Sequence, residues 1–366
     1  MSGLGGVRHL YVHLPFCASR CGYCDFVTLV GKAGRHAAYV DALLAELGLE
    51  RDLLAARLET VYLGGGTPTF TQPAELRRLL ASLPPAEEVT VEANPETVTP
   101  ALARLLREAG VTRVSLGAQS FQPHLLRALE RRAGPDDVRR AFYHLRDASF
   151  DNVSLDLIYG IPGQSSSDLD RDLEEALALG SEHLSCYELE AKAGTRFTHG
   201  HGEELARQAE AMEGYFQRVV ETLVGAGYRW YETANFCRAG REARHNLGYW
   251  LGHDYVAIGI GAVSTVGKRR WRNEPSLGRY LAALRAGERP PRENESLGPA
   301  VKLQERLMLG LRLDEPVSLA AVGGAVNREA LARLERLGLV TAGAGGLLLT
   351  ERGRYLGDAV TAELLV

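Results

Sequence analysis

The chain has 366 residues, a formal net charge of −4 and 45% hydrophobic residues. That length and apolar content can bury a large core with room for more than one domain, and the near-neutral balance excludes a protein that binds nucleic acid through overall charge. No apolar run reaches the ~20 residues of a membrane span, Met1–Val12 lacks the apolar stretch of a secretion signal, and five cysteines leave one over in any disulfide framework, so the reading is a reducing, cytoplasmic setting.

Short β-branched runs at 9–14, 60–64, 88–94, 112–118, 152–159 and 182–189 alternate with segments at 35–58, 72–82, 100–109, 123–148 and 166–179 that carry Leu and Ala at helical spacing. This α/β alternation predicts a parallel sheet with helices outside, and six repeats predict an incomplete (β/α)6 barrel. By strand parity, Tyr11 and His13 share a face, as do Glu92 and Asn94, then Ser115, Gly117 and Gln119, then Ser154 and Asp156. A closed barrel fills its lumen with branched apolar side chains, so these polar faces predict a lumen that holds a ligand.

After Glu190 the rhythm changes: a helical stretch at 203–226, an aromatic run Tyr228, Trp230 and Tyr231, the segment Glu242–Trp250, and a Gly-rich strand at 255–266. Residues 286–299 read as a linker by composition. Helices near 299–311 and 326–338, then two strands around Gly343–Gly346 and a last helix, predict a winged-helix-like module. Leu347, Leu348 and Leu349 with few nearby cations suit protein packing better than DNA, and no nucleic-acid partner is expected. The expected division is 1–200 for the partial barrel, 201–290 for its extension and 291–366 for the C-terminal module.

Cys17, Cys21 and Cys24, spaced C-x3-C-x2-C just past the first strand, can turn three thiolates toward one small object. A [4Fe-4S] cluster suits them, with one iron left for a small molecule. A zinc site needs a second cysteine pair close by, and Cys186 and Cys237 are isolated, which marks them as buried structural thiols. GGGTPT at 64–69 ends the second strand, where glycines let backbone N–H groups approach a ligand.

The cysteine spacing resembles the signature of the radical S-adenosylmethionine (SAM) superfamily. HLPFC, GGGTP, EANPE, GAQSF, SLDLIYGIPGQ and HNLGYW then occur in the order found in the oxygen-independent coproporphyrinogen III oxidases and their heme-chaperone relatives, over nearly the whole chain. The resemblance implies that Cys17, Cys21 and Cys24 hold a [4Fe-4S] cluster and that Tyr11, Tyr23, Gly65, Gly66 and Thr67 contact SAM. Glu92, Gln119, Arg131 and Asp156 would complete the lumen around SAM or a second small ligand. Tyr23 either stacks on adenine or only packs.

Two departures separate the chain from the oxidases. The position two after Cys24 is Phe26, where they resemble C-x3-C-x2-C-x-C, and only 16 residues precede Cys17, where they carry a longer arm. Both match the heme-chaperone branch, as does His245-Asn246-Leu247-Gly248-Tyr249-Trp250, the H-N-x-x-Y-W motif which that branch uses for heme. A neutral imidazole at His245 suits heme iron, Tyr249 and Trp250 offer flat faces, and Lys268, Arg269, Arg270 and Arg272 suit propionates. Read singly, His245 is equally an ordinary hydrogen-bonded histidine, and the basic run a solvated face. The resemblance implies a chaperone that passes heme to apo-hemoproteins, membrane-bound ones among them, with cluster and SAM gating release. The rivals are an oxidative decarboxylase of coproporphyrinogen III and a SAM-radical enzyme of another substrate. Turnover and a homodimer stay open. With more than two hundred positions between cysteines and His245, the two sites are expected to be separable by mutation.

Overall fold

The computed structural model describes residues 6–190 and 196–366. Six parallel strands pair in sequence order: β1 (His9–Leu14), β2 (Leu58–Gly65), β3 (Ala86–Ala93), β4 (Arg113–Gln119), β5 (Val153–Tyr159) and β6 (His183–Glu188). Between them run α1 (His36–Glu50), α2 (Pro73–Ser82), α3 (Pro100–Glu108), α4 (Pro123–Ala128), α5 (Pro135–Asp147) and α6 (Ser166–Leu179). The segment expected as one helix over 123–148 is two. Proline at 135 has no N–H to continue a helix and instead opens a new one, and Glu130 between them is left-handed (φ 55°).

Strand parity puts Leu10, Val12, Val61, Leu63, Val91, Val114, Leu116 and Leu155 on the outer face. There they are buried with Tyr39, Leu43, Leu79, Leu106, Phe142 and Leu173 of the helices. Each such side chain contributes about 1.5–3 kcal/mol on burial, enough to set the register strand by strand. That register places Tyr11 opposite Tyr62, Glu92 opposite Ser115, Ser115 opposite Ser154, and Asp156 between Gly117 and Ser185. The separate polar faces thereby merge into one inner wall.

The sheet continues past both ends of the six. After α7 (Arg196–Gly225), β7 (Arg229–Glu232) and β8 (Asn235–Cys237) add antiparallel beyond β6. After α8 (Arg244–Trp250), β9 (Val256–Ile258) returns to pair parallel with β1, completing nine strands in the order β9-β1-β2-β3-β4-β5-β6-β8-β7.

Two expectations fail here. The Gly-rich stretch 255–266 is two strands, β9 and β10 (Val263–Val266), because Gly259 (φ 108°) and Gly261 (φ 66°) turn the chain between them. The supposed linker contains β12 (Arg292–Ser296), the outer strand of an antiparallel sheet with β10 and β11 (Arg269–Asn273). Composition misleads there because β11 supplies the backbone partners, while Arg292 reaches inward to the buried carboxylates of Glu46 (3.4 Å) and Glu50 (2.8 Å).

Beyond α9 (Leu277–Arg285) follow α10 (Pro299–Gly310), α11 (Leu319–Val322), α12 (Arg328–Arg336), the hairpin β13 (Val340–Gly343) and β14 (Gly346–Leu349), α13 (Glu351–Tyr355) and α14 (Gly357–Leu364). Leu307, Val322, Leu334, Leu347 and Leu364 form a core of their own there. Among the described residues no helix is long and apolar enough to cross a membrane.

Candidate cofactor site

The turn after β1 carries the three cysteines as free thiols, Cys17 buried and Cys21 and Cys24 half-buried. Burial raises the Cys17 and Cys24 thiols, and the neighbouring thiols on the loop add to the rise at both. Thr67 Oγ1 lies 3.5 Å from Cys17 Sγ, and Arg131 Nη1 lies 3.7 Å from Cys21 Sγ. Arg131 is tied to the barrel end through Nη2, which donates to Asn94 Oδ1 (3.0 Å) and to the Gly117 carbonyl (2.8 Å); Asn94 in turn donates to Thr67 Oγ1 (3.1 Å). Arg131, not the exposed Arg132 beside it, therefore enters the site. Three thiols beside a guanidinium are a donor set that fits an anionic iron–sulfur cluster. Cys186 and Cys237 are buried in the core, away from this loop.

Gly64–Thr67 wraps the end of β2 against the cysteine loop. Gly65 is at φ 109°, where an L side chain is strained and would strike the His13 ring, and a Cβ on Gly66 would lie 2.6 Å from the Pro15 carbonyl carbon. Gly65 N–H donates to Glu92 Oε2 (3.0 Å), and Tyr62 O–H donates to Glu92 Oε1 (2.7 Å). Burial lifts the Glu92 carboxyl to about 7 despite those two donors. Asp156 is lifted too, chiefly by burial, although Ser115 and Ser154 hydroxyls donate to it at 3.0–3.2 Å. Both carboxylates are half-buried on the inner wall. They can accept from paired hydroxyls or face a cation. Gln119 sits at the end of β4 in a left-handed conformation (φ 65°), at a bulge that turns its amide toward Gly117. Such strain in a non-glycine residue is typical of ligand sites.

Tyr11 hydrogen-bonds His13 Nδ1 (3.2 Å) and stacks on Tyr62. Tyr23 packs edge-on against Phe197 beside Leu125 and Ile161. Residues 191–195, which precede Phe197 closely, lie outside the described residues.

The H-N-x-x-Y-W helix, α8, does not stand apart from this wall. His245 is buried. Its Nδ1 is 2.7 Å from Thr60 Oγ1, its Nε2 is 2.9 Å from Tyr249 O–H, and its ring stacks on Tyr62 at 5.1 Å. Burial lowers its pKa to about 3, so it is neutral, and both ring nitrogens are occupied. His245 thus touches the tyrosine that holds Glu92. Asn246 is half-buried, Tyr249 packs on Tyr255, and Trp250 turns the other way, its ring under Arg312 at 4.5 Å. Trp250 lines a cleft of about 670 Å³ between the ends of β5 and β6 and the C-terminal helices, with Tyr159, Met308, Arg312, Arg354 and Tyr355. Its indole N–H and Arg354 Nη2 are buried without a hydrogen-bond partner among the described residues.

The basic run has other work. Arg270 is held by Glu305 at 2.8 Å through two nitrogens, Arg269 lies over Trp271, and Lys268 and Arg272 are exposed. The cations on the cleft, Arg312 and Arg354, were not anticipated; each is a lone arginine in a helical or turn context with no motif to flag it.

A sheet of this topology, closed on one side by a three-cysteine loop, defines a radical SAM protein. Residues 11–176 match the family model of the radical SAM superfamily and residues 297–356 match the HemN C-terminal domain. The fold is also that of coproporphyrinogen III oxidase (HemN) from Escherichia coli, with a TM-score of 0.83 over 99% of this chain and 91% of that one, at 22% identity. Among curated relatives, the heme chaperone HemW of Mycobacterium tuberculosis is 39% identical over 97% of this chain and 94% of its own. HemW of Bacillus subtilis is 31% identical over 98% and 99%. The chain belongs to the HemW family, and the superfamily implies a [4Fe-4S] cluster and SAM.

Proposed function

We propose that this chain is a cytoplasmic heme chaperone that binds heme and passes it to apo-hemoproteins. What carries the reading is the near-full-length likeness to relatives named heme chaperones. Cys17, Cys21 and Cys24 would hold the cluster, and Gly65, Gly66, Thr67, Tyr11, Glu92, Gln119, Arg131 and Asp156 would surround SAM. When bound, the cluster would supply an electron to the SAM sulfonium. Glu92 and Asp156 would accept from ribose hydroxyls, and Arg131 would offset the charge of the thiolates.

For heme, the cleft beside Trp250 is the place that matches a flat amphipathic ligand. Trp250 and Tyr355 provide ring faces, Met308 a thioether and Arg354 the cation for a propionate, while Arg312, which lies over Trp250, is held by the buried carboxylate of Glu232 at 2.7–2.8 Å. His245 would reach iron only by giving up Thr60 or Tyr249, so we assign it to positioning α8. We keep the division 1–200, 201–290 and 291–366 as part of this proposal but draw the last boundary at Leu297, because Arg292–Ser296 pairs into the sheet of β10 and β11.

Heme titration of cluster-free protein tests this. One heme per chain with a distinct Soret band is expected. Trp250→Ala should weaken binding by about 1–3 kcal/mol, roughly 5- to 150-fold. Turnover of coproporphyrinogen III with no stoichiometric heme would overturn the reading in favour of the decarboxylase.

A further inference from the structure

At the end of the barrel opposite the cysteine loop, three side chains converge that neither cofactor uses. His9 begins β1, Glu59 lies in β2, and His253 lies in the turn between α8 and β9. His9 Nε2 is 3.1 Å from His253 Nδ1 and 3.5 Å from Glu59 Oε2, and the three donor atoms all lie within 4.8 Å of one another. The two rings stack at 5.2 Å. His9 is buried, Glu59 half-buried and His253 exposed, so the trio opens to solvent on one side.

A histidine–histidine hydrogen bond accounts for one of these contacts. It leaves Glu59 Oε2 facing the same Nε2, which can share only one proton. A cation in place of that proton satisfies all three donors at once. We propose that His9, Glu59 and His253 form a surface site for a divalent first-row transition ion such as zinc, bound by two imidazoles and one carboxylate with a further position open to water.

The groups behind the trio suit that role. Glu59 Oε1 accepts from Arg8 at 2.6 Å, which fixes the carboxylate and leaves Oε2 turned to His9. His9 Nδ1 is 2.8 Å from Thr60 Oγ1, the hydroxyl that also meets His245 Nδ1. A neutral His9 that binds an ion through Nε2 carries its hydrogen on Nδ1 and donates it to Thr60. Thr60 then donates to His245 Nδ1, and His245 donates from Nε2 to Tyr249. The ion thereby selects the tautomer of His245. With a proton on His9 Nε2 instead, every bond in that chain runs the other way.

The test uses cluster-loaded protein, anaerobically, so that the cysteines are occupied, with zinc affinity read by competition against a fluorescent chelator and iron measured in the same samples. One zinc per chain with iron unchanged is expected. His253→Ala, at an exposed side chain, and Glu59→Gln should each raise the zinc Kd by at least about tenfold, and Thr60→Val by up to about that much. No zinc uptake by the wild type, zinc that enters only as iron leaves, or unchanged affinity in the H253A/E59Q double variant would overturn the site.

Discussion

His245→Ala is the substitution that asks most of this structure. Removing the imidazole strands the half-buried Tyr249 hydroxyl, at about 1–3 kcal/mol, and deletes the hydrogen bond to Thr60, which keeps His9, at about 0.5–1.5 kcal/mol. It also deletes the stack on Tyr62, about 0.5–1.5 kcal/mol more. A loss near 4 kcal/mol is expected, which for a chain of this size lowers Tm by about 5 °C. A pH series checks the cause. Unfolded histidine takes up a proton below its ordinary 6.5, whereas folded His245 resists until about 3, so in that window the wild type loses more stability as pH falls than the alanine variant, in which only the other buried histidines, His9, His13, His36 and His183, still contribute. Between pH 6.5 and 5 the gap between them should narrow by about 2 kcal/mol, half its size at neutral pH. Thermal unfolding of cluster-free protein across that range reads both quantities. In cluster-loaded protein, SAM should perturb the reduced cluster less in the variant, because Tyr62 no longer holds Glu92 squarely. A variant with wild-type Tm and SAM response but a shifted Soret band would refute this reasoning and return His245 to the iron.

Anaerobic reconstitution should load about four irons per chain, and Cys24→Ser should abolish loading; full iron content in that variant would remove the cysteine assignment. Glu92, lifted to about 7, must ionise to accept ribose hydroxyls or face a sulfonium, so SAM affinity should fall up to tenfold per unit as pH drops below about 7. Glu92→Gln should flatten that profile, and a flat wild-type profile over about pH 6–8 would show that the carboxylate does not face SAM.

The barrel was legible because its information is local. Alternating runs such as Val89–Asn94 and Val153–Tyr159 declare their two faces, and glycines at 64–66 and cysteines at 17–24 sit at strand ends where sites form. Arg131 came only from a family pattern, yet its bonds to Asn94 and Gly117 explain why an arginine stands there. What could not be read were contacts between distant segments. Nothing near Glu46 announces Arg292, and nothing in H-N-x-x-Y-W states that its histidine faces Tyr62 while its tryptophan faces a cleft. The β12 strand was hidden for the same reason: its charged residues have poor β-propensity, and its partner strand decides the matter.

The pairing of β9 with β1 has a consequence for synthesis. The inner edge strand of the barrel, made first, has no neighbour on that side until residues 256–258 have been translated, more than two hundred positions later. A contact of such sequence separation closes slowly, and until it does β1 presents an open edge to other chains. The cysteine loop hangs directly from that strand. Cluster insertion into a settled loop therefore belongs after release of most of the chain, and a nascent barrel stalled before β9 is the form most prone to aggregate.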